Sequence, residues 1–117
     1  MNESDRELLG WAAKAAGIDV SAGFSLRLNA FYVEPKEETG AYVGWNPIDD
    51  GGDALRLMVR LRLEPRFLDN SHSNGAEPSR VTLHNVAGIV ENIDGDPYAA
   101  TRRAIVRAAA EIGRQMP

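Results

Sequence analysis

The fold is decided by the stretch Trp45-Asn46-Pro47-Ile48-Asp49-Asp50-Gly51-Gly52-Asp53-Ala54-Leu55, which leads from a short aromatic segment into a helix. Asp50, with Asp53 three residues later, is an acidic variant of a helix cap. Carboxylates suit this place because they accept hydrogen bonds from the unpaired N–H groups of the first turn and face the positive end of the helix dipole. The stretch therefore predicts a strand-to-helix junction in the middle of the chain.

A second junction, Asp94-Gly95-Asp96-Pro97-Tyr98, precedes the last segment of the chain, which is rich in Ala and Arg. Asp96 is the predicted N-cap. Pro97 takes the first helical position, where its missing N–H costs nothing because no acceptor within the helix exists for it. The pattern predicts a helix from Pro97 to about Gln115.

The final helix has two predicted faces. Its core face, by helical spacing, consists of Tyr98, Ala104, Ile105, Ala108, Ala109 and Ile112. Arg103, Arg107 and Arg114 project on the opposite side, and we call these three residues the arginine stripe.

The segments before Trp45 predict one helix and two strands. Ser4-Asp5-Arg6-Glu7 is a capping box, and Gly17 is a left-handed stop, which together predict a helix over residues 4–16. Phe24 to Val33 is rich in aromatic and branched residues and predicts a strand whose Arg27 points to solvent. Residues 41–45 predict its antiparallel partner in a hairpin.

The segment from Leu55 to Glu64 fits two structures. Its apolar residues alternate with polar ones as in a two-faced strand. The acidic cap favours a helix instead, and we predict a helix from about 50 to 62 that Pro65 halts. Beyond it the pattern predicts an edge strand at Phe67 and Leu68, a mobile polar loop from Asp69 to Ser79, a strand with Val81, Leu83 and Val86, and a strand from Gly88 to Ile93.

These elements predict an α+β fold in which a small, mainly antiparallel sheet packs with three helices in the order α-β-β-α-β-β-α, like an α/β/α sandwich. With 117 residues, 44% hydrophobic and 26% charged, the chain is expected to form a single domain over residues 1–117. The absence of cysteine excludes disulfides and thiolate chemistry.

Composition also bears on location and partners. No stretch approaches the roughly 20 apolar residues of a membrane helix, and the acidic start of the chain does not resemble a signal peptide. We therefore expect a cytoplasmic protein without a membrane partner. The net charge of −4 opposes wholesale attraction to nucleic acid or anionic lipid.

Three stretches resemble the small phage and prophage proteins that carry a phage α/β/α sandwich domain of unknown function. They are Trp45-Asn46-Pro47 with Asp50 and Asp53-Ala54, the run Arg102-Arg103-Ala104-Ile105-Val106-Arg107-Ala108-Ala109, and the opening Asp5-Arg6-Glu7-Leu8-Leu9 with Ala12-Ala13-Lys14-Ala15-Ala16-Gly17. The resemblance implies the fold, a phage origin and a bacterial host. It also favours a helix for the segment from Leu55 to Glu64, which we call the Leu/Arg segment. It implies no catalytic residue.

Most candidate site residues have a structural interpretation that outweighs a chemical one. Trp45 beside Asn46 and Pro47 more often plugs a sheet edge than presents an indole to a ligand. Asp49, Asp50 and Asp53 lack the regular ligand alternation and the closing glutamate of a calcium loop, so capping is the favoured role.

The remaining polar residues carry no recognisable catalytic pattern. Asn92, Asp94 and Asp96 alternate as metal ligands do but lack the further acidic ligand. His72 and His84 are the only histidines, too few for a zinc site without cysteine. No Gly-x-Ser-x-Gly turn or phosphate-binding loop is present. We predict no catalytic residue, no metal and no cofactor.

Three functions follow as hypotheses. The favoured one is a non-enzymatic phage or prophage accessory protein that acts by protein–protein contact, with an unidentified protein partner or as a homodimer. The second is nucleic-acid binding by the arginine stripe, since guanidinium groups pair well with phosphates. The third is a small metal-dependent enzyme that uses the carboxylates of Asp49, Asp50 and Asp53.

Overall fold

The computed structural model describes residues 4–34, 42–68 and 79–117, and these ranges contain three helices and six strands. In chain order they are α1 (Asp5–Ala16), β1 (Phe24–Ser25), β2 (Ala30–Val33), β3 (Val43–Trp45), α2 (Gly51–Leu61), β4 (Pro65–Leu68), β5 (Arg80–Leu83), β6 (Val90–Asn92) and α3 (Pro97–Gln115). The α+β class and the alternation of helices with antiparallel strands are confirmed. Before α2 the predicted pair of strands is three short strands, after α2 the three predicted strands are all present, and the six strands form two sheets.

Both sheets are antiparallel and three-stranded. Sheet A has the order β1-β2-β3, and sheet B has the order β4-β5-β6. In sheet A, Phe31 on β2 lies opposite Phe24 on one side and Trp45 on the other. The rings of Phe24 and Phe31 meet edge to face with their centroids 5.0 Å apart, a favoured aromatic geometry. Through this row of aromatic residues, sheet A packs against the hydrophobic core.

The predicted helix boundaries are confirmed by their hydrogen bonds. Ser4 caps α1 by accepting from Glu7 N, and Gly17 ends it with a left-handed φ of 69°. Asp50 caps α2 by accepting from Asp53 N at 2.8 Å. Asp96 caps α3, in which Pro97 is the first residue.

The Leu/Arg segment forms the predicted helix, α2, and its alternating pattern has a structural consequence. Ala54 and Leu57 are buried, whereas Leu55 and Val59 remain exposed. The helix ends at Arg62, which adopts a left-handed φ of 55°. Alternation of apolar residues on a helix thus places some of them on the face that points away from the core.

The most extensive contact between elements joins α1 to α3. Both helices are lined with alanine on the buried side, which lets their axes approach closely. The closest approach is at Gly113, where an added Cβ would lie 2.0 Å from the backbone oxygen of Trp11. The side chains of Val81 and Leu83 on β5 are also buried in this core.

Three expectations about individual elements were wrong. The strand expected from Phe24 to Val33 is interrupted, because residues 26–29 form a turn in which Asn29 has a φ of 51° and Leu28 N donates to the Ser25 hydroxyl. Arg27 within this turn is exposed, as predicted. Tyr98, expected in the core, is 76% exposed because it lies in the first turn of α3. Val86 follows β5 in a turn instead of extending the strand.

Other expectations are confirmed or lie outside the described residues. β3 pairs antiparallel with β2, and β4, which contains Phe67, is an edge strand of sheet B. The strand expected over Gly88 to Ile93 is shorter, at Val90–Asn92. The loop with His72 lies almost wholly in 69–78, outside the described residues. None of the helices described is both long and apolar enough to cross a membrane.

Replacing Gly113 by alanine is expected to destabilise the protein by about 1–3 kcal/mol, because the new methyl group would overlap the backbone of α1 and force the helices apart. The matched control is Gly10→Ala on α1, where nothing lies within 4 Å of the added Cβ. This control should gain about 0.5–1 kcal/mol from helix propensity. Urea unfolding measures both, and equal stabilities for the two variants would contradict the close approach.

Candidate functional site

Asn46 locks the end of sheet A to the start of α2. The residue is buried, and its side-chain oxygen accepts a hydrogen bond from Ile48 N at 2.9 Å. Its side-chain nitrogen donates to the carbonyl of Asn29 at 2.6 Å. Its backbone N–H donates to Asp53 Oδ2 at 3.0 Å. The polar atoms of Asn46 therefore fix the junction. The amide can be buried because its oxygen and its nitrogen both have hydrogen-bond partners.

The carboxylates beside Asn46 are used in the same way. Asp53 also accepts from Arg56 at 2.8 Å, and the Arg56 guanidinium lies 4.0 Å from Asp50. Asp49 accepts from the side-chain nitrogen of Asn29 at 3.2 Å. These residues line an open depression of about 620 Å³. Asp53 differs from a simple cap, because it reaches back beyond Asp50 to the backbone of Asn46.

The acidic and histidine side chains of the described residues do not cluster as metal ligands. In the ranges 4–34, 42–68 and 79–117, no group of three or more His, Asp or Glu side chains is arranged to hold a metal ion. Asp96 accepts hydrogen bonds from Tyr98 N and Ala99 N in its capping role. His84 is exposed at the end of β5, and its backbone N–H donates to the carbonyl of Glu64. His72 lies outside the described residues.

The arginine stripe is engaged with carboxylates of the same chain. Arg107 binds Glu91 on β6 and donates to the carbonyl of Val90 at 2.9 Å. Arg103 lies 3.1 Å from Asp5 at the start of α1 and 3.7 Å from Glu91. Arg114 lies 3.7 Å from Glu111. Nucleic-acid binding by this stripe remains a prediction, and the pairing lowers the positive charge that it would present to phosphate.

An apolar groove runs between α2, α3 and the edge strand β4. It has a volume of about 320 Å³ and is lined by Leu55, Met58, Phe67, Tyr98, Arg102 and Ile105, among others. Leu55 is 56% exposed and Phe67 is 53% exposed. Val59, 65% exposed, follows Leu55 by one helical turn. We call this feature the α2–α3 groove.

Large apolar side chains gathered at one exposed place need an explanation, because exposed apolar residues on a monomeric protein are usually scattered. Phe67 lies opposite Val81 in the register of sheet B, so its ring is on the face that packs toward α3. Tyr98 stands at the beginning of α3 and Leu55 near the beginning of α2. The groove therefore lies between the first turns of α2 and α3 and the edge strand β4, where the apolar side chains are only partly covered by the neighbouring element.

Among the described strands β4 is an edge of sheet B, and its outer side has one hydrogen-bond donor fewer than usual. The carbonyls of Glu64 and Leu68 accept hydrogen bonds from the β5 side. The backbone groups of Pro65 and Phe67, at the intervening positions, consequently point away from β5. Pro65 has no N–H to donate, a common protection of sheet edges.

Charged residues stand at defined places around the groove. Arg102 lines it, and its Nε donates to the carbonyl of Ile48 at 2.8 Å. Among the described residues no carboxylate forms an ion pair with Arg102 or binds it by a hydrogen bond. Asp94, exposed and four residues before Tyr98, is likewise in no such ion pair. The groove thus contains a half-buried cation that pairs with no carboxylate of the described residues.

One titratable group outside the groove has a shifted pKa. Asp19, in the connection between α1 and β1, accepts hydrogen bonds from the hydroxyl and the backbone N–H of Ser21, and these lower the pKa of its carboxyl below the usual value. Such bonds favour the charged form. The interaction fixes a surface turn.

Comparisons with known proteins add no relative: no family model matches the chain, and no curated protein or solved structure matches it significantly.

Sequence patterns did not predict the α2–α3 groove, although one pattern indicated exposed apolar residues on α2. The alternation from Leu55 to Leu63 left apolar residues without a place on the buried face of a helix. Tyr98 was assigned to the core because it shares a helical face with Ala108 and Ile112. Helical spacing gives the direction in which a side chain points, but it does not show whether a neighbouring element extends far enough to cover that side chain.

Replacing Asn46 by alanine is expected to destabilise the protein by about 1–3 kcal/mol, because Ile48 N and the Asn29 carbonyl would lose partners in a buried place. Asn92→Ala, an exposed asparagine on β6, is the control and should stay within about 0.5 kcal/mol of the parent. Chemical unfolding compares the two. An Asn46→Ala protein as stable as the control would show that Asn46 does not hold the junction.

Proposed function

We propose that this chain is a non-enzymatic accessory protein, encoded by a phage or prophage, that works in the cytoplasm of its bacterial host by binding protein through the α2–α3 groove. The observation that carries the proposal is the gathering of exposed apolar side chains around one groove, with Leu55, Phe67 and Tyr98 at its rim. Buried aromatic anchors in apolar clefts dominate the energetics of many protein interfaces. The phage origin is supported only by the resemblance of the three sequence stretches described above.

The polar residues of the described chain support the same proposal. Those that sequence analysis offered for chemistry are used in folding: Asn46 and Asp53 fix a junction, and Asp96 caps α3. The depression beside Asn46 has a mixed lining, in which carboxylates at the start of α2 stand beside the apolar Leu28 and Val43. The α2–α3 groove is mostly apolar and gathers the exposed side chains of Leu55, Phe67 and Tyr98. Removal of such apolar surface from water drives association.

Site-specific photo-cross-linking tests the proposal. A photoreactive phenylalanine analogue placed at Tyr98 should give discrete protein adducts in nuclease-treated host lysate, because position 98 would be covered in the complex. The same analogue at Tyr42, a similarly exposed tyrosine beside sheet A, is the matched control and should give none. Mass spectrometry identifies the adducts.

Two further results bear on the interpretation. Adding Leu55→Glu to the position-98 protein should remove the adducts, since a carboxylate at the groove opposes apolar contact. Adducts that are absent at position 98, or equally abundant at positions 98 and 42, would contradict the groove as a protein-binding surface. Adducts that disappear with nuclease treatment would move the function toward nucleic acid and the arginine stripe.

A further inference from the structure

Among the described strands β6 is the edge of sheet B opposite β4. Ile93 N donates to the carbonyl of Ser79, on the β5 side. Because backbone groups alternate between the two sides of a strand, the N–H and C=O groups of Val90 and Asn92 point away from β5. Val90 is also branched at Cβ and 46% exposed, and such side chains favour strand pairing. The outer side of β6 therefore has the backbone groups and the side chain to which another strand could add.

Arg107 of α3 reaches this outer side. Its Nη1 donates to the outward carbonyl of Val90 at 2.9 Å, and the same nitrogen binds the carboxylate of Glu91. A strand pairing with β6 would need the carbonyl of Val90 as an acceptor. It would therefore have to displace a hydrogen bond from a charged donor, and such bonds are stronger than neutral ones.

Arg103, one turn earlier on α3, shows what is particular to Arg107. Arg103 lies 3.7 Å from Glu91 and 3.1 Å from Asp5, so both arginines pair with carboxylates. Of the two, Arg107 is the one that occupies a strand carbonyl in the described structure. At the opposite edge of sheet B, Pro65 removes a donor from β4. A donor is thus missing at one edge, and an acceptor is occupied at the other.

We infer that Arg107 is an edge guard, which keeps β6 of one molecule from pairing with β6 of a second copy of this chain. A second copy is the relevant partner because it presents the same edge, and two identical strands can pair antiparallel around a twofold axis. The α2–α3 groove lies beside β4, at the other edge of sheet B. The inference is therefore independent of the proposed function.

A pyrene label on β6 tests the edge guard. The chain has no cysteine, so Asn92→Cys supplies a single thiol at an exposed position of β6. Two pyrenes emit as an excimer when the labelled strands of two molecules meet. In this labelled protein, Arg107→Ala should raise excimer emission at least about tenfold at equal protein concentration, which corresponds to about 1.4 kcal/mol in the free energy of association.

Two further variants separate guarding from stability. Arg103→Ala loses the ion pairs to Glu91 and Asp5 but leaves the carbonyl of Val90 occupied, so its excimer emission should stay at the parent level. Arg107→Lys should also stay there, because one nitrogen of Arg107 makes both contacts and an ammonium group can make the same two. Urea unfolding shows whether each labelled variant is folded under the conditions of the measurement.

Excimer emission that rises with Arg107→Ala, and stays at the parent level with Arg103→Ala, supports the edge guard. The inference is overturned if Arg107→Ala leaves the emission unchanged, if Arg103→Ala raises it equally, or if the labelled parent already emits as strongly. The proposed function is tested separately by cross-linking at position 98, so either proposal can fail without the other.

Discussion

The close packing of α1 on α3 underlies the arrangement of the other elements. These two helices share the most extensive contact in the fold, and it is possible only because their facing sides carry alanine and one glycine. At Gly113 the space for a side chain is already occupied by the backbone of α1. Helices this close exclude water over a long seam. Both sheets contribute to the hydrophobic core formed with these two helices. Sheet B contributes Val81 and Leu83, and sheet A contributes its row of aromatic residues.

The position of α2 depends on a different interaction, the hydrogen-bonded junction at Asn46. Asp53 holds the backbone of Asn46 while Asn46 holds the turn that leads into the helix, so the end of sheet A and the start of α2 are a single unit. Arg102 of α3 adds a bond to the carbonyl of Ile48 in the same turn. This bond joins the start of α3 to the turn before α2, and the apolar groove lies beside it.

The arginines of α3 divide into two groups with different consequences. Arg103 and Arg107 bind carboxylates of α1 and β6, so their charge is used to hold the sheet and the first helix to the last. Ion pairs of partly exposed side chains contribute little to stability, typically below about 1 kcal/mol each. They occupy Glu91 and Asp5, whereas Arg102, on the groove, donates to the carbonyl of Ile48 and pairs with no carboxylate of the described residues. The distribution of carboxylates, more than the number of arginines, decides which surface can attract a charged partner.

The sequence alone accounts for the helices and their ends, because caps and stops are local. Ser4, Asp50 and Asp96 each bind N–H groups two or three residues away. It also determined the strand class and the antiparallel pairing of β2 with β3, which aromatic residues and a short connection indicate. It did not show the break at Asn29, since a left-handed residue inside an apolar run leaves the pattern almost unchanged. Three further features are visible only in the three-dimensional arrangement. The strands form two sheets, Glu91 and Asp5 neutralise Arg107 and Arg103, and Tyr98 and Leu55 border a groove. Each of these outcomes joins residues far apart in the chain, and their meeting depends on where the helices lie relative to one another, which local spacing does not encode.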